Sequence, residues 1–316
     1  MIIASAIAAV VPISVFLLII WRIDRFDKEP FYLVLLNHLW GAIGAIIFTF
    51  LGSTFISLVL SFLVQNLSLQ SHIETIVVAP VVEEITKGIF LLLMINLKSF
   101  DNITDGIVYG GAIGLGFGMT ENFFYFVTFG TDLPSWVSLV VIRTLFSAVM
   151  HCVATATLGA FLAYAKFKNI YSKVGFFILG LATAMFIHAF WNLTVSFQST
   201  ALFGFLFMLV NIIAFFVMFF LAINNEKKII YKELLEEANA GLIPFEHLQI
   251  INSKVRNYQG WINENIRNDY VKAVITLAFR KVQLRNSLYN NREVYQREVD
   301  YYRGYVFQLL TNNVMY

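Results

Sequence analysis

The chain holds one cysteine, five prolines and few charges, and each scarcity excludes something. The lone Cys152 rules out a disulfide within the chain and leaves the redox compartment unread. Asp, Glu, Lys and Arg make up only 13% of the 316 residues, against 59% hydrophobic. A soluble domain of this length could not hide that much apolar surface, so the class is a polytopic membrane protein. The first twenty residues lack a basic leader region and read as an uncleaved first span. Neither GxSxG nor HExxH occurs, which removes two common hydrolase signatures. No glycine-rich phosphate loop or nucleic-acid module is present, so nucleic acid is not an expected partner.

What charge there is sits unevenly. Thirteen of the 22 Lys and Arg and ten of the 20 Asp and Glu follow Asn224. The chain therefore divides into a membrane domain, 1–224, and a polar tail, 225–316. Seven apolar stretches are long enough to cross a bilayer: 1–21, 31–64, 76–97, 104–129, 136–165, 174–197 and 201–223. The fold class is all-α, with about seven transmembrane helices and a helical C-terminal domain. Loops at 22–30, 98–103 and 166–173 carry Arg22, Arg25, Lys28, Lys98, Lys166, Lys168 and Lys173. The alternate loops, 65–75, 130–135 and 198–200, carry no Lys or Arg. The positive-inside rule then places the N-terminus outside and the tail in the cytoplasm, with the protein integral to the cell membrane. The tail's basic excess suits a domain beside an anionic leaflet.

Polar residues inside apolar stretches need a reason, because a carboxylate near the bilayer centre costs roughly 2.5–3.5 kcal/mol. Glu83 and Glu84 stand side by side in IVVAPVVEEITKGIFLLLMIN, with Lys87 four and three residues on. One ion pair accounts for one glutamate and leaves the other to explain. Phe117 and Glu121 lie four apart on the fourth span, followed by Asn122. Asp105 sits at that span's inner end, where it can cap the helix. Arg143, Ser147 and His151 share a face of the fifth span, and His188 and Asn192 share one of the sixth. At about 1.5 Å per residue, Glu83, Glu84, Glu121 and His188 fall at one depth, in the outer half to centre of the membrane. Gly106, Gly110, Gly114 and Gly118 form a ridge that lets a neighbouring helix approach and fixes where the polar residues stand.

A desolvated glutamate beside histidines suits water activation. Glu83 or Glu84 is the expected base, with Glu121 and His151 holding the water. His188 and Asn192 are expected to donate to a tetrahedral oxyanion. Lys87 and Arg143 would tune charge, and Phe117 and Asp105 would support. This preferred reading requires no cofactor. A metal version uses zinc held among Glu83, Glu84, Glu121, His151 and His188. A membrane sensor or proton-coupled transporter uses the same residue types, although no inverted repeat is apparent.

The ordered motifs DRFDKEP (24–30), EEITK (83–87), DGIVYGGAIGLGFGMTEN (105–122), RTLFSAVMH (143–151) and HAFWN (188–192) resemble the PrsW family of intramembrane proteases. That family belongs to the wider group that includes the CAAX prenyl endopeptidases. The likeness covers about residues 20–195 and leaves the tail outside. It implies a protease cutting a single-span membrane protein near its extracytoplasmic side, in known cases an anti-sigma factor. It also implies joint action of Glu83, Glu84, Glu121, His151, His188 and Asn192. The prenyl-protease branch has FxxxH where this chain runs from Phe117 to Glu121, which argues against prenyl processing. Oligomeric state is not readable, and a homodimer is allowed.

Overall fold

The computed structural model describes all residues except 25, 27, 288 and 312–316, and the side chains of 289–291. Arg25, one of the loop charges above, and Asp27 of the 24–30 motif therefore lie outside the described residues. Among the described residues the regular structure is entirely helical. The membrane part comprises α1 (Ile2–Ile23), α2 (Phe31–Leu39), α3 (Ile46–Leu63), α4 (Leu67–Ile73), α5 (Ala79–Met94), α6 (Ile103–Phe129), α7 (Leu133–Ile142), α8 (Ala148–Ala165) and α9 (Ile170–Val195). It continues into α10 (Ala201–Asn239), and α11 (Phe245–Ile251), α12 (Glu264–Asn286) and α13 (Tyr289–Thr311) follow.

Five helical segments are long and apolar enough to cross a membrane: Ile2–Ile23, Phe31–Leu63, Leu133–Ala165, Ile170–Val195 and Ala201–Asn239. Helices also occupy the third and fourth expected spans, but they are less apolar. The third carries Glu74, Glu83, Glu84 and Lys87; the fourth is diluted by glycine, Asp105 and Glu121. Much of the expected loop 65–75 is helical, because Asn66 caps α4 by accepting from the Leu69 amide. The last expected span and the first tail helix are one continuous 39-residue helix, α10.

Three pairs of helices join without a loop, through π turns of one extra residue. Trp40–Ala45 links α2 to α3, Glu74–Val78 links α4 to α5, and Arg143–Ser147 links α7 to α8. Such turns are rare and cluster at functional sites.

The centre of the membrane unit is α6 against α8. Asn102 and Asp105 close a capping box that starts α6. From there Gly106, Gly110 and Gly114 meet the backbone carbonyls of Gly159, Thr155 and His151 in turn. A methyl at any of the three would overlap that oxygen, so only glycine permits this crossing. The ridge ends at Gly118, where an added Cβ would lie 2.8 Å from Ala148 Cα. Gly116, on another face, sits on the His38 carbonyl of α2. This close approach brings the α8 side chains at 151 and 155 against α6.

The chain separates into two compact units, with the main division between Phe219 and Phe220. The second unit has its own core, which includes Ile230, Leu234, Ile251, Tyr270, Val274 and Val306. An acidic row on α10 faces cations of α12 and α13. Buried Lys281 reaches Glu237 Oε1 at 2.7 Å and Glu236 Oε2 at 3.0 Å. Arg285 grips both oxygens of Glu233 at 2.9 and 2.7 Å, and Arg303 those of Glu237 at 2.9 and 2.8 Å. Burial alone would raise the Glu237 carboxyl. Hydrogen bonds from Arg303 and Lys281 outweigh it and hold the group below the usual carboxylate range.

Candidate active site

Four helices bring their polar residues to one place. On α5, Glu83, Glu84 and Lys87 occupy consecutive turns of one face, and all three are buried. Lys87 Nζ lies 2.8 Å from Glu84 Oε1 and 3.4 Å from Glu83 Oε2. It also lies 2.9 Å from His151 Nδ1 and 3.9 Å from the Phe117 ring centre. One ammonium thus touches both carboxylates, an imidazole and an aromatic face.

Hydrogen bonding fixes the two histidine tautomers. Lys87 only donates, so His151 Nδ1 accepts from it and the ring proton sits on Nε2. That proton is given to Glu121 Oε2 at 2.7 Å. His188 Nδ1 is 3.0 Å from Glu84 Oε1, and a carboxylate accepts, so His188 Nε2 carries the lone pair. Both lone-pair nitrogens face Glu83 Oε2: His151 Nδ1 at 4.0 Å and His188 Nε2 at 3.8 Å. The rings meet edge to face, 4.7 Å between centres.

The remaining contacts set charge. Arg143, held in its π turn, pairs with Glu121 Oε2 at 2.8 Å, donates to Asn122 Oδ1 at 3.1 Å and lies over the Tyr125 ring. Thr155 donates to Glu84 Oε2 at 3.2 Å, so both oxygens of Glu84 are engaged and its side chain is fully buried. Glu83 and Glu121, by contrast, line an open cavity of about 670 Å³, together with Arg143, His151, His188 and Asn192. Asn192 gives its amide to the Thr75 carbonyl at 2.9 Å and not to His188's partners.

Of the ten residues read from the sequence, nine gather at or beside this cavity. Asp105 does not: it closes the α6 cap, about 24 Å along the helix from Glu121. Near it, Tyr109 donates to the buried Glu29. Thr155 and Tyr125, also at the site, carry no charge that marks them in the sequence. Thr155 lies four residues after His151, a spacing that shares its face and could have found it. Tyr125 stands in the same relation to Glu121.

Glu83, His151 and His188 each offer a ligand atom within 4.8 Å of the others. One carboxylate and two imidazoles are a donor set that zinc accepts. Each imidazole is anchored through its other nitrogen by a carboxylate, Glu121 or Glu84, the outer arrangement usual around metal-binding histidines. The Lys87 ammonium already places a cation against two of the three donors. These residues fit a metal ion once the ammonium leaves His151 Nδ1, whose one lone pair cannot serve both.

The family model described as "PrsW family intramembrane metalloprotease" matches residues 29–222. The chain belongs to the PrsW family. It is accordingly a protease and an integral membrane protein. It is similar to Protease PrsW of Bacillus subtilis, 26% identical over 166 residues, which is 52% of this chain and 70% of that protein. Protease PrsW of Clostridioides difficile is 28% identical over 166 residues, 52% of this chain and 67% of its own length. That of Oceanobacillus iheyensis is 26% identical over 167 residues, 51% and 74%. No solved structure matches the chain. The family match spans the four helices that carry the site, and the second unit lies almost wholly beyond it.

Proposed function

We propose that this PrsW-family protease hydrolyses a peptide bond of a single-span membrane protein, of the anti-sigma-factor kind, close to the extracytoplasmic side. The observation that carries the reading is the convergence of Glu83, His151 Nδ1 and His188 Nε2 at a cavity of about 670 Å³. In a seven-span topology with the N-terminus outside and the second unit in the cytoplasm, that site lies in the outer half of the bilayer.

Glu83, His151 and His188 are the residues that would hold a zinc ion. Bound there, zinc supplies a Lewis acid that acidifies water and polarises the scissile carbonyl. Glu121 uses one oxygen for Arg143 and His151, and its other oxygen is free to take the proton of the attacking water. The water oxygen bonds to the carbonyl carbon, the C–N bond breaks, and Glu121 returns the proton to the leaving amine. Arg143 holds Glu121 in place through their ion pair at 2.8 Å. Glu84, saturated by Lys87, His188 and Thr155, fixes geometry and takes no proton. Asn192 stands at the cavity wall as a donor to the developing oxyanion once its Thr75 contact opens.

A second reading is favoured by Lys87, whose ammonium sits among the donors. There Glu83 is itself the base, without a metal, and Asn192 is the donor to the oxyanion. Purified protein in liposomes, given a panel of single-span substrates, separates the two. We expect cleavage, loss of at least a hundredfold in Glu83→Gln with normal insertion, about one zinc per chain, and chelator inhibition reversed by zinc. Cleavage that survives chelation, with no bound metal, assigns the chemistry to Glu83 alone. Full activity of Glu83→Gln overturns both.

A further inference from the structure

Beyond the catalytic cluster, the same cavity holds one more carboxylate. Glu74 lies in the π turn between α4 and α5 and lines the cavity with Ser53 and Ser57 of α3. Its hydrogen-bond donors are both neutral: Ser57 Oγ at 2.7 Å and the Gln70 amide at 2.9 Å. Both donate to Oε1, so neither engages Oε2. The other lining carboxylates have cations: Glu121 pairs with Arg143 and Glu83 with Lys87. Among the described residues no Lys or Arg pairs with Glu74. A carboxylate lining the cavity, unmatched by any cation, attracts one from whatever enters.

Part of the cavity lining is apolar. Trp191 stacks with Phe146 and meets Phe205 edge to face, and Ile142 and Val195 complete it. A substrate segment therefore meets both a carboxylate and aromatic surface in this cavity.

We propose that Glu74 is a specificity residue that selects substrates with a Lys or Arg near the scissile bond. Glu74 precedes Glu83 by nine residues, roughly 13 Å along a helix. An extended peptide covers that in about four residues at roughly 3.3 Å each. The cation is thus placed about four positions from the cleaved bond, on one side only. The inference rests on the protease reading above.

The test uses a degenerate peptide library, with cleavage sites read by mass spectrometry, on the full chain in detergent. Wild type should enrich Lys and Arg three to five positions from the bond, about tenfold over Gln. Glu74→Gln should erase that preference, and Glu74→Lys should turn it toward Asp and Glu. The same residue profile in wild type and Glu74→Gln overturns the proposal and leaves the protease reading intact. Affinity is measured in parallel with the inactive Glu83→Gln chain, which needs no turnover. There, tighter binding of Lys-bearing than of Gln-bearing peptides, lost in Glu74→Gln/Glu83→Gln, supports the site even if the reaction is misassigned. Equal binding of both peptides overturns it.

Discussion

Lys87 is the residue on which the buried charge depends. Its single ammonium serves Glu83, Glu84 and His151 with no exposure to water. Removing one member of a buried ion pair leaves the other charges uncompensated, at a cost of about 3–5 kcal/mol. Lys87→Met should accordingly lower the unfolding midpoint in detergent well below that of wild type. An unchanged midpoint would mean that the carboxylates are balanced by something other than Lys87. The charged residues were the legible part of the site. A Glu, Lys or His in an apolar run has few innocent explanations, so spacing and depth brought Glu83, Glu84, Lys87, Glu121, His151 and His188 together on paper. Thr155 and Tyr125 gave no such signal, since a threonine or tyrosine costs a membrane helix little. Asn192 shows the limit of helical spacing. It shares a face with His188, yet its amide goes to Thr75, a residue 117 positions away that no periodicity reveals.

At the scale of helices, the α6–α8 crossing fixes where His151 stands. Gly114 touches the carbonyl of His151 itself, so an added methyl must push the helix that carries the imidazole. Gly114→Ala should cost about 1–3 kcal/mol from overpacking and reduce cleavage at least tenfold. Gly175→Ala on α9 is the control. Nothing lies within 4 Å of its would-be Cβ, so it should be neutral or stabilising by up to about 1 kcal/mol. Equal behaviour of the two variants in thermal unfolding and cleavage would refute the close-packing account. The glycine ridge was evident from four-residue spacing alone; its partner helix was not, because many apolar helices could have filled the same groove. The stretch 65–75 hides its helix for a related reason. Its polar residues, Gln65, Asn66, Gln70 and His72, read as loop, whereas Asn66 starts a helix that carries Glu74 to the cavity wall.

For the whole molecule, the charge asymmetry of the loops makes a topological statement that labelling can check. In a Cys152→Ser background, Leu133→Cys and Tyr258→Cys introduce thiols at positions 67% and 65% exposed. In intact cells an impermeant maleimide should modify the first and reach the second only after permeabilisation. The reverse pattern would invert the protein and move the catalytic wall to the inner half of the bilayer. Seven spans could be counted from apolar length, but five helices meet that standard. The other two are the ones that carry Glu83, Glu84, Glu121 and the glycine ridge. A helix that supplies chemistry gives up the hydropathy that would announce it as a span.

The three π turns have a mechanical corollary. An α-helix advances about 100° per residue, so one inserted residue offsets the azimuth of everything downstream by that amount. Glu83 follows one such offset, and His151 follows another within a single turn. Their side chains aim at each other only while both offsets persist. The cavity is therefore a phase-locked device, and straightening either π turn into α-helix would swing the Glu83 or His151 side chain by about 100° around its helix without breaking a single covalent bond.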